Sequence, residues 1–526
     1  MPSHNPAQRL DEPTRSAAWL SARWLGVFVG ALVLFGLTAA RTIQWQDYGQ
    51  YTLRIVEGEL FNELGLALAH PLHFWLGELA IGVLPFEPAH AVALVSALGG
   101  AVTVANVFGC VWSVSRRLDA ACLAAVGLAL ANTFWRMSTM PECYTVTTAL
   151  LSAELWCLAL FMRGGHACGP RPLWLVAAFF FNGLGLANHN LALLTGPILG
   201  VVLVHALLHK RVCLWRVALC MFAWCVGAMP YLLLVIVEAS INGDVGGAVR
   251  SALVGNHYGD KVMNASPSIR LAGISAAFTV LSFFNLTLVF AAVGLWRSLC
   301  AAGQRAIGFA WAGALAIHLL FVLRYNVVDQ HTFLLPAYTL IALFAGVGFA
   351  SIAERRPAGF NRKLFVAALA LVLLAPAVYV GAATLARSAN ALGGYARDKP
   401  YRDDYRYLFV PWGVGETSAQ RMARHATALA GDDGVVLVGD SMARFAVRYT
   451  ALQQGRDKLD VVSLTRDELH WDAFAGRRVV LVPASAGDEP IDPPAGMAWR
   501  ADEPMYVLVP AEATTGMDEP AGDRSR

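Results

Sequence analysis

Charge is what this 526-residue chain has least of: Asp, Glu, Lys and Arg make up 15% of it, against about 25% in soluble domains. So little charge excludes a disordered protein and an ordinary cytosolic enzyme. No long Lys/Arg block occurs and the net charge is +3, so nucleic acid is not an expected partner. All nine cysteines lie between Cys110 and Cys300, which excludes a disulfide framework in the C-terminal part. There is no internal repeat and no Gly-rich nucleotide fingerprint.

What the chain has instead is apolar surface, with 57% AVILMFWYC, and a polytopic membrane protein follows. The charges are divided unevenly. Residues 387–526 hold 38 of the 77, leaving 39 for the first 386 positions. A membrane part is therefore followed by a water-soluble part. Arg9, Arg15 and Arg23 precede an apolar stretch reaching about Ala40, too long for a cleaved signal segment and read as an uncleaved first helix.

Runs long enough to cross about 30 Å of hydrocarbon fall near 17–40, 91–114, 119–135, 144–162, 172–187, 190–208, 216–237, 271–296, 306–323, 332–352 and 364–386, eleven in all. The run 64–84 contains His70, Pro71, His73 and Glu78, so it is read as a loop helix that lies in the interface or re-enters. With the N-terminus inside, inner loops collect 16 of the 23 bases before residue 387, as the positive-inside rule requires. Eleven of the 16 acids in the same stretch then face outward, Asp47, Glu142 and Asp329 among them. Acids do little to set topology, so their skew points to a polar site on the outer face. Glu154 stands apart inside a span, where an acid pairs within the bundle or lines a cavity.

Four polar clusters mark the outer ends of spans: Gln46-Asp47-Tyr48-Gly49-Gln50 with Ala69-His70-Pro71 in the same loop, Arg136 to Tyr144, Asn188-His189-Asn190, and Arg324 to His331. Taken singly, each is explained by loop backbone that needs solvation. Together they put carboxylates, imidazoles, arginines and amides at one depth. A transporter would place ionisable groups near the midplane of related halves. An enzyme that takes a lipid-borne substrate from the membrane and an acceptor from water suits the pattern better.

These clusters resemble those of the GT-C superfamily of integral-membrane glycosyltransferases, whose first outer loop carries a catalytic acid just after the first helix; Asp47 stands there. More narrowly, the chain is similar to a protein O-mannosyltransferase-like multi-spanning family, formerly a domain of unknown function, with animal and bacterial members. The matching residues are Asp47 and Gly49, Ala69-His70-Pro71, Phe134-Trp135 with Glu142 and Tyr144, Gly185 to His189, Tyr325-Asn326 with Asp329 and Phe333, and Leu335 to Tyr338. Gly439-Asp440 and the stretch Gly455 to Leu464 extend the likeness, which covers most of residues 40–480. One departure stands out: the family's Gly-Asp-x-Gly-Glu reads here with Gln46 first and Gln50 last, so Gln50 keeps hydrogen bonding and loses charge.

The resemblance implies inverting transfer of a sugar, mannose among the candidates, from a polyprenyl-phosphate donor to a hydroxyl. Such a step needs a base for the acceptor proton and no acid for the already anionic leaving phosphate. Asp47 is the expected base, with Glu142 as the second catalytic acid. Arg324, Arg136, His70 and His189 are the outer-face choices for the phosphate, arginine having first claim through bidentate contact. Gln50, Tyr144, Asn188, Asp329 and His331 complete the expected substrate-binding set. No Asp-x-Asp pair follows the first helix, so no obligatory metal is expected; Mg or Mn on hard carboxylate oxygens is the alternative.

The expected fold class is thus a polytopic α-helical membrane protein of eleven spans, GT-C-like, with a small C-terminal soluble α/β domain. The expected division is a membrane domain 1–386 with its first outer loop at 41–90, an interfacial linker 387–413, an α/β domain 414–510 and a disordered tail 511–526. In the α/β domain, helices near 416–430 and 442–454 alternate with strands near 435–439, 461–464 and 479–482, which predicts a parallel sheet. Gly439-Asp440-Ser441 then closes a strand where open sheets place binding groups. The expected location is a bacterial inner membrane, with the N-terminus cytoplasmic and this domain periplasmic. The partners are the lipid-linked donor, membrane lipids and a protein, lipid or glycan acceptor. A transporter or lipid-linked-glycan flippase, and a non-catalytic membrane scaffold with a binding domain, remain as alternatives.

Overall fold

The computed structural model describes residues 12–61, 64–163, 172–256, 259–264, 266–301, 303–327, 329–393 and 396–513. From residue 514 on, the expected tail lies outside the described residues, as do Arg9, Glu63 and Arg171 of the charge count. The chain forms two compact units. One comprises residues 1–39, 59–84 and 91–379; the other comprises 40–58, 85–90 and 380–526.

The first unit is helical. Among the described residues, seven helices are long and apolar enough to cross a membrane: Trp19–Thr38, Pro88–Ser115, Tyr144–Met162, Asn190–Leu208, Leu214–Asn242, Arg305–Arg324 and Gln330–Ala353. Two further expected spans are bent pairs, Ile269–Ser282 with Thr287–Cys300 at 107° and Ala358–Leu373 with Ala375–Ser388 at 43°. At the sharper bend the Asn285 side chain accepts from the Thr287 N–H at 2.9 Å, an Asx turn just ahead of the new helix. The remaining two expected spans correspond to shorter apolar helices. Leu118–Ala129 stops where a continuous span to 135 was expected, because the buried Tyr379 hydroxyl takes the Leu130 carbonyl at 2.6 Å. Pro172–Asn188 has 17 residues. The loop helix is Pro71–Val83, 13 residues, or about 20 Å at ~1.5 Å per residue and too short to cross.

Glycine lets these helices cross closely. A Cβ on Gly183 would overlap the Trp224 carbonyl, and one on Gly227 the Phe180 carbonyl. Gly294 and Gly348 are related in the same reciprocal way through the carbonyls of Phe344 and Phe290. Backbone contact of this kind drives helix association in lipid, where no hydrophobic effect is left to do so.

The second unit is built on a five-stranded mixed sheet. Strands β1 (Val435–Val438), β2 (Asp460–Ser463) and β3 (Val479–Val482) are parallel, with β1 between the other two. The hairpin of β4 (Met497–Asp502) and β5 (Met505–Pro510) adds two antiparallel strands, giving the order β2-β1-β3-β5-β4. This hairpin departs from the expected all-parallel sheet: Met497–Asp502 has no β-branched residue, and its turn, Glu503-Pro504, lacks the usual glycine signal. Helices Ser418–Ala430 and Ala443–Gln453 cover one face through Met422, Ala426, Phe445 and Ala446. Ile43, Trp45 and Leu53 belong to the same core. Part of the first loop therefore folds with the C-terminal unit, not with the helices that precede and follow it in sequence.

Candidate functional site

Within the helical unit, helix ends carry the polar clusters, because their backbone groups lack intrahelical partners. His70 is the N-cap of Pro71–Val83 and adopts φ 50, a left-handed conformation uncommon for a non-glycine residue. Its Nδ1 lies 2.8 Å from the Asn188 carbonyl oxygen. A carbonyl only accepts, so Nδ1 carries the proton and Nε2 the lone pair. Asn188 ends Pro172–Asn188, is fully buried, and donates its amide to the Cys143 carbonyl and the Thr147 hydroxyl, both at 2.8 Å.

His189 has the opposite tautomer. Its Nδ1 accepts from the Leu191 N–H at 3.0 Å, so in the neutral ring Nε2 bears the hydrogen. Burial and then the neighbouring His70 hold it well below the ordinary imidazole range, so it is a neutral donor. The two rings stack at 4.9 Å and 17°. Tyr144, Phe333 and Tyr325 continue the row, with Tyr144 to His189 at 5.3 Å, Tyr144 to Phe333 at 5.2 Å and Tyr325 to Phe333 at 4.9 Å.

Glu142 is 2% exposed. Ser96 pins its backbone twice, accepting from the Glu142 N–H at 2.9 Å and donating to the Glu142 carbonyl at 2.8 Å. Its carboxylate accepts from the Cys143 N–H at 3.2 Å. Tyr144 sits in the fields of both Asp329 and Glu142, and its hydroxyl bonds Thr332. The buried Arg136 acts electrostatically on His331, whose ring stacks on Phe278 at 4.3 Å. One corner of the unit thus gathers His70, Glu142, Tyr144, Asn188, His189 and Asp329, from four separate stretches of chain.

Arg324 gives its guanidinium to the Val262 and Asn264 carbonyls and lies over the Phe321 ring at 5.3 Å; it holds a loop. Asp47 and Gln50 belong to the second unit, on the helix Asp47–Glu57. Asp47 is half-buried in the first turn, where backbone N–H groups favour its anion. Gln46 before it is held at φ 59, ψ −139, a strained conformation of the kind found at functional sites. The segment is anchored by Trp45, whose Nε1–H donates to Ser418 Oγ at 2.7 Å, and by Gln44, whose amide donates to the Glu416 carbonyl at 2.9 Å.

Sequence reasoning missed Cys143 as part of the corner. His70, Cys143 and His189 offer ligand atoms within 4.8 Å of one another. Stacked rings send their in-plane lone pairs side by side rather than to one point, and the Nδ1 lone pair of His189 is already used. The trio therefore suits hydrogen bonding better than tetrahedral metal binding. At the end of β1, Asp440 pairs with Lys399 at 2.6 Å, so the strand-end position is filled by the chain's own cation.

Residues 66–212 match the family model described as the Protein O-mannosyl-transferase TMEM260 N-terminal domain, the stretch that carries His70, Arg136, Glu142, Tyr144, Asn188 and His189. No curated protein matches the chain. Among solved structures, ArnT from Cupriavidus metallidurans in the apo state aligns with TM-score 0.58 and 15% identity over 93% of this chain and 98% of that one. The same protein bound to undecaprenyl phosphate gives TM-score 0.57 and 16% identity over 92% and 97%. The oligosaccharyltransferase of Archaeoglobus fulgidus with Zn and sulfate gives TM-score 0.48 and 13% identity over 86% and 67%. The chain is an integral-membrane protein that shares the fold of ArnT and whose residues 66–212 match the O-mannosyl-transferase family model.

Proposed function

We propose that the chain moves a sugar, mannose first among the candidates, from a polyprenyl-phosphate donor to a hydroxyl on a protein, lipid or glycan, with inversion. The observation that carries this reading is the corner of buried His70, Glu142 and Asn188 with half-buried His189, assembled from helix ends inside the matched stretch. Buried polar groups are costly, and so many brought together from separate stretches of chain have a purpose other than stability.

In this reading Asp47 accepts the acceptor's proton as its oxygen attacks the anomeric carbon, and the electron pair leaves with the lipid phosphate. Arg136 and the neutral N–H of His189 meet the phosphate charge. Arg324, whose Nη1 also meets the Val262 and Asn264 carbonyls, is the third group for that phosphate. Glu142, Asp329, Asn188 and Tyr144 read sugar hydroxyls, and Gln50 and His331 contribute hydrogen bonds at the edge. No obligatory metal enters the scheme. The membrane of this reading is a bacterial inner membrane, and the distribution of basic residues favours the N-terminus in its cytoplasm and the C-terminal unit in the periplasm.

The test is transfer of labelled mannose from polyprenyl-phosphate mannose by purified protein in lipid nanodiscs, with and without a chelator, beside Asp47→Asn. The expected result is chelator-resistant transfer by wild type and little by the variant. Absence of transfer from every polyprenyl-phosphate sugar tried would sink the reading.

A further inference from the structure

Glu154 lies in the span Tyr144–Met162 and is 1% exposed. One carboxylate oxygen accepts from the Asn182 amide and the Thr195 hydroxyl, both at 3.1 Å. The other, Oε1, is buried with no hydrogen-bond partner. Glu154 lines a small, partly open cavity, together with Thr147, Phe181, Leu191, His318 and Pro336.

The polar groups on this cavity are short of donors. His318 directs Nδ1 at the Ala314 carbonyl, 2.8 Å away, so that nitrogen holds the hydrogen and Nε2 the lone pair. The Thr147 hydroxyl donates to the Cys143 carbonyl at 3.2 Å. The Asn182 amide is spent on Glu154, Thr195 and the Ala192 carbonyl, and its oxygen accepts from Trp224 Nε1–H at 2.9 Å. No Lys or Arg stands among the described lining residues. A carboxyl group in a membrane bundle without a basic partner needs one positive charge from elsewhere.

We propose that this cavity binds one monovalent cation, an alkali ion or a proton, on Glu154 with His318 facing it. Occupancy bears on the corner described above, because Thr147 also receives the Asn188 amide, and Leu191, on the cavity wall, holds Nδ1 of His189. The proposal does not depend on the sugar-transfer reading, and its test reads no transfer.

Full-length protein in nanodiscs is treated with dicyclohexylcarbodiimide, an apolar reagent that adds to a carboxyl group bearing its proton, and the adduct is mapped by peptide mass spectrometry. Labelling is run in choline buffer and with sodium or potassium added, beside thermal unfolding of wild type and Glu154→Gln. An adduct at Glu154 that falls about tenfold with the alkali ion at about ten times its Kd identifies an alkali-ion site. An adduct that no alkali ion suppresses identifies a proton site. A thermal shift with sodium or potassium that Glu154→Gln abolishes supports the alkali ion even without labelling. No adduct at Glu154, together with unfolding indifferent to both ions, overturns the proposal; both readouts are made on wild type, so it stays testable if the variant does not fold.

Discussion

His70 donates from Nδ1 to the main-chain carbonyl of Asn188 at 2.8 Å, and this bond decides which nitrogen of His70 has a lone pair to offer. It also ties the start of one helix to the end of another. His70→Asn keeps a donor near the position of Nδ1 and removes the Nε2 function; His70→Gln does the reverse. If Nε2 meets substrate, His70→Asn is expected to fold normally and lose at least about tenfold in kcat/KM, about 1.4 kcal/mol. Thermal unfolding and transfer kinetics on both variants separate anchoring from contact.

Asn188→Leu fills similar space but removes the amide that donates to the Cys143 carbonyl and the Thr147 hydroxyl, while the Thr147 hydroxyl and N–H still reach that carbonyl. The expected loss is about 0.5–1.5 kcal/mol per hydrogen bond removed. It would be read as a lowered unfolding temperature in detergent.

Asp47→Asn is expected to lower kcat by about 10²- to 10⁴-fold, the usual contribution of a general base. The anchor of that segment makes a companion prediction. Ser418→Ala leaves the buried Trp45 N–H without its acceptor, costing about 1–3 kcal/mol. Because Asp47 lies two residues on, transfer should weaken although the substitution is more than 370 positions away in sequence.

Gly294→Ala and Gly348→Ala each place a methyl group on a carbonyl of the facing helix. Either is expected to destabilise by at least the ~1–3 kcal/mol of overpacking, while Gly200→Ala, where nothing lies within 4 Å of the new carbon, serves as the neutral control. Heating followed by monodisperse recovery on size exclusion measures the difference.

Burial, the largest single influence on Asp440, pushes its carboxyl up. The hydrogen bond and charge of Lys399, the Met442 N–H and the charge of Arg397 together outweigh it and hold the group below its ordinary value of 3.8. A depressed carboxyl stabilises the fold fully above its unfolded value and loses that contribution as pH falls through the folded one. Wild type should therefore lose stability on acidification below about pH 4 more steeply than Asp440→Asn. Near neutrality, Lys399→Met removes the nearest cation from the partly buried Asp440, which keeps the Met442 N–H and the Arg397 charge, and should cost about 1.5–3 kcal/mol.

Much of the fold was legible in the linear chain because a bilayer demands apolar length and asymmetric charge, and both are local properties. The parallel strands Val435–Val438 and Val479–Val482 announced themselves by β-branched runs in the same way. The breaks inside expected spans did not. The Tyr379 hydroxyl that meets the Leu130 carbonyl comes about 250 residues later, and the turn before Thr287 carries the bond of one side chain, Asn285.

Of the candidate site, residue types and order were readable, since carboxylates and imidazoles at helix ends stand out against apolar sequence. Their allegiance was not. Arg324 also gives Nη1 to two carbonyls of a loop about 60 residues upstream, and Cys143 looked like one more apolar residue of a helix end. By itself the sequence determined a polytopic membrane protein with a soluble C-terminal unit, because hydropathy and charge act residue by residue. Only the tertiary structure decided that residues 40–58 fold with that C-terminal unit, that Asn188 sets the tautomer of His70, and that Glu154 lines a cavity with no Lys or Arg among its described lining residues. Hydrogen-bond satisfaction is settled between segments far apart in the chain, and no local pattern records the partner.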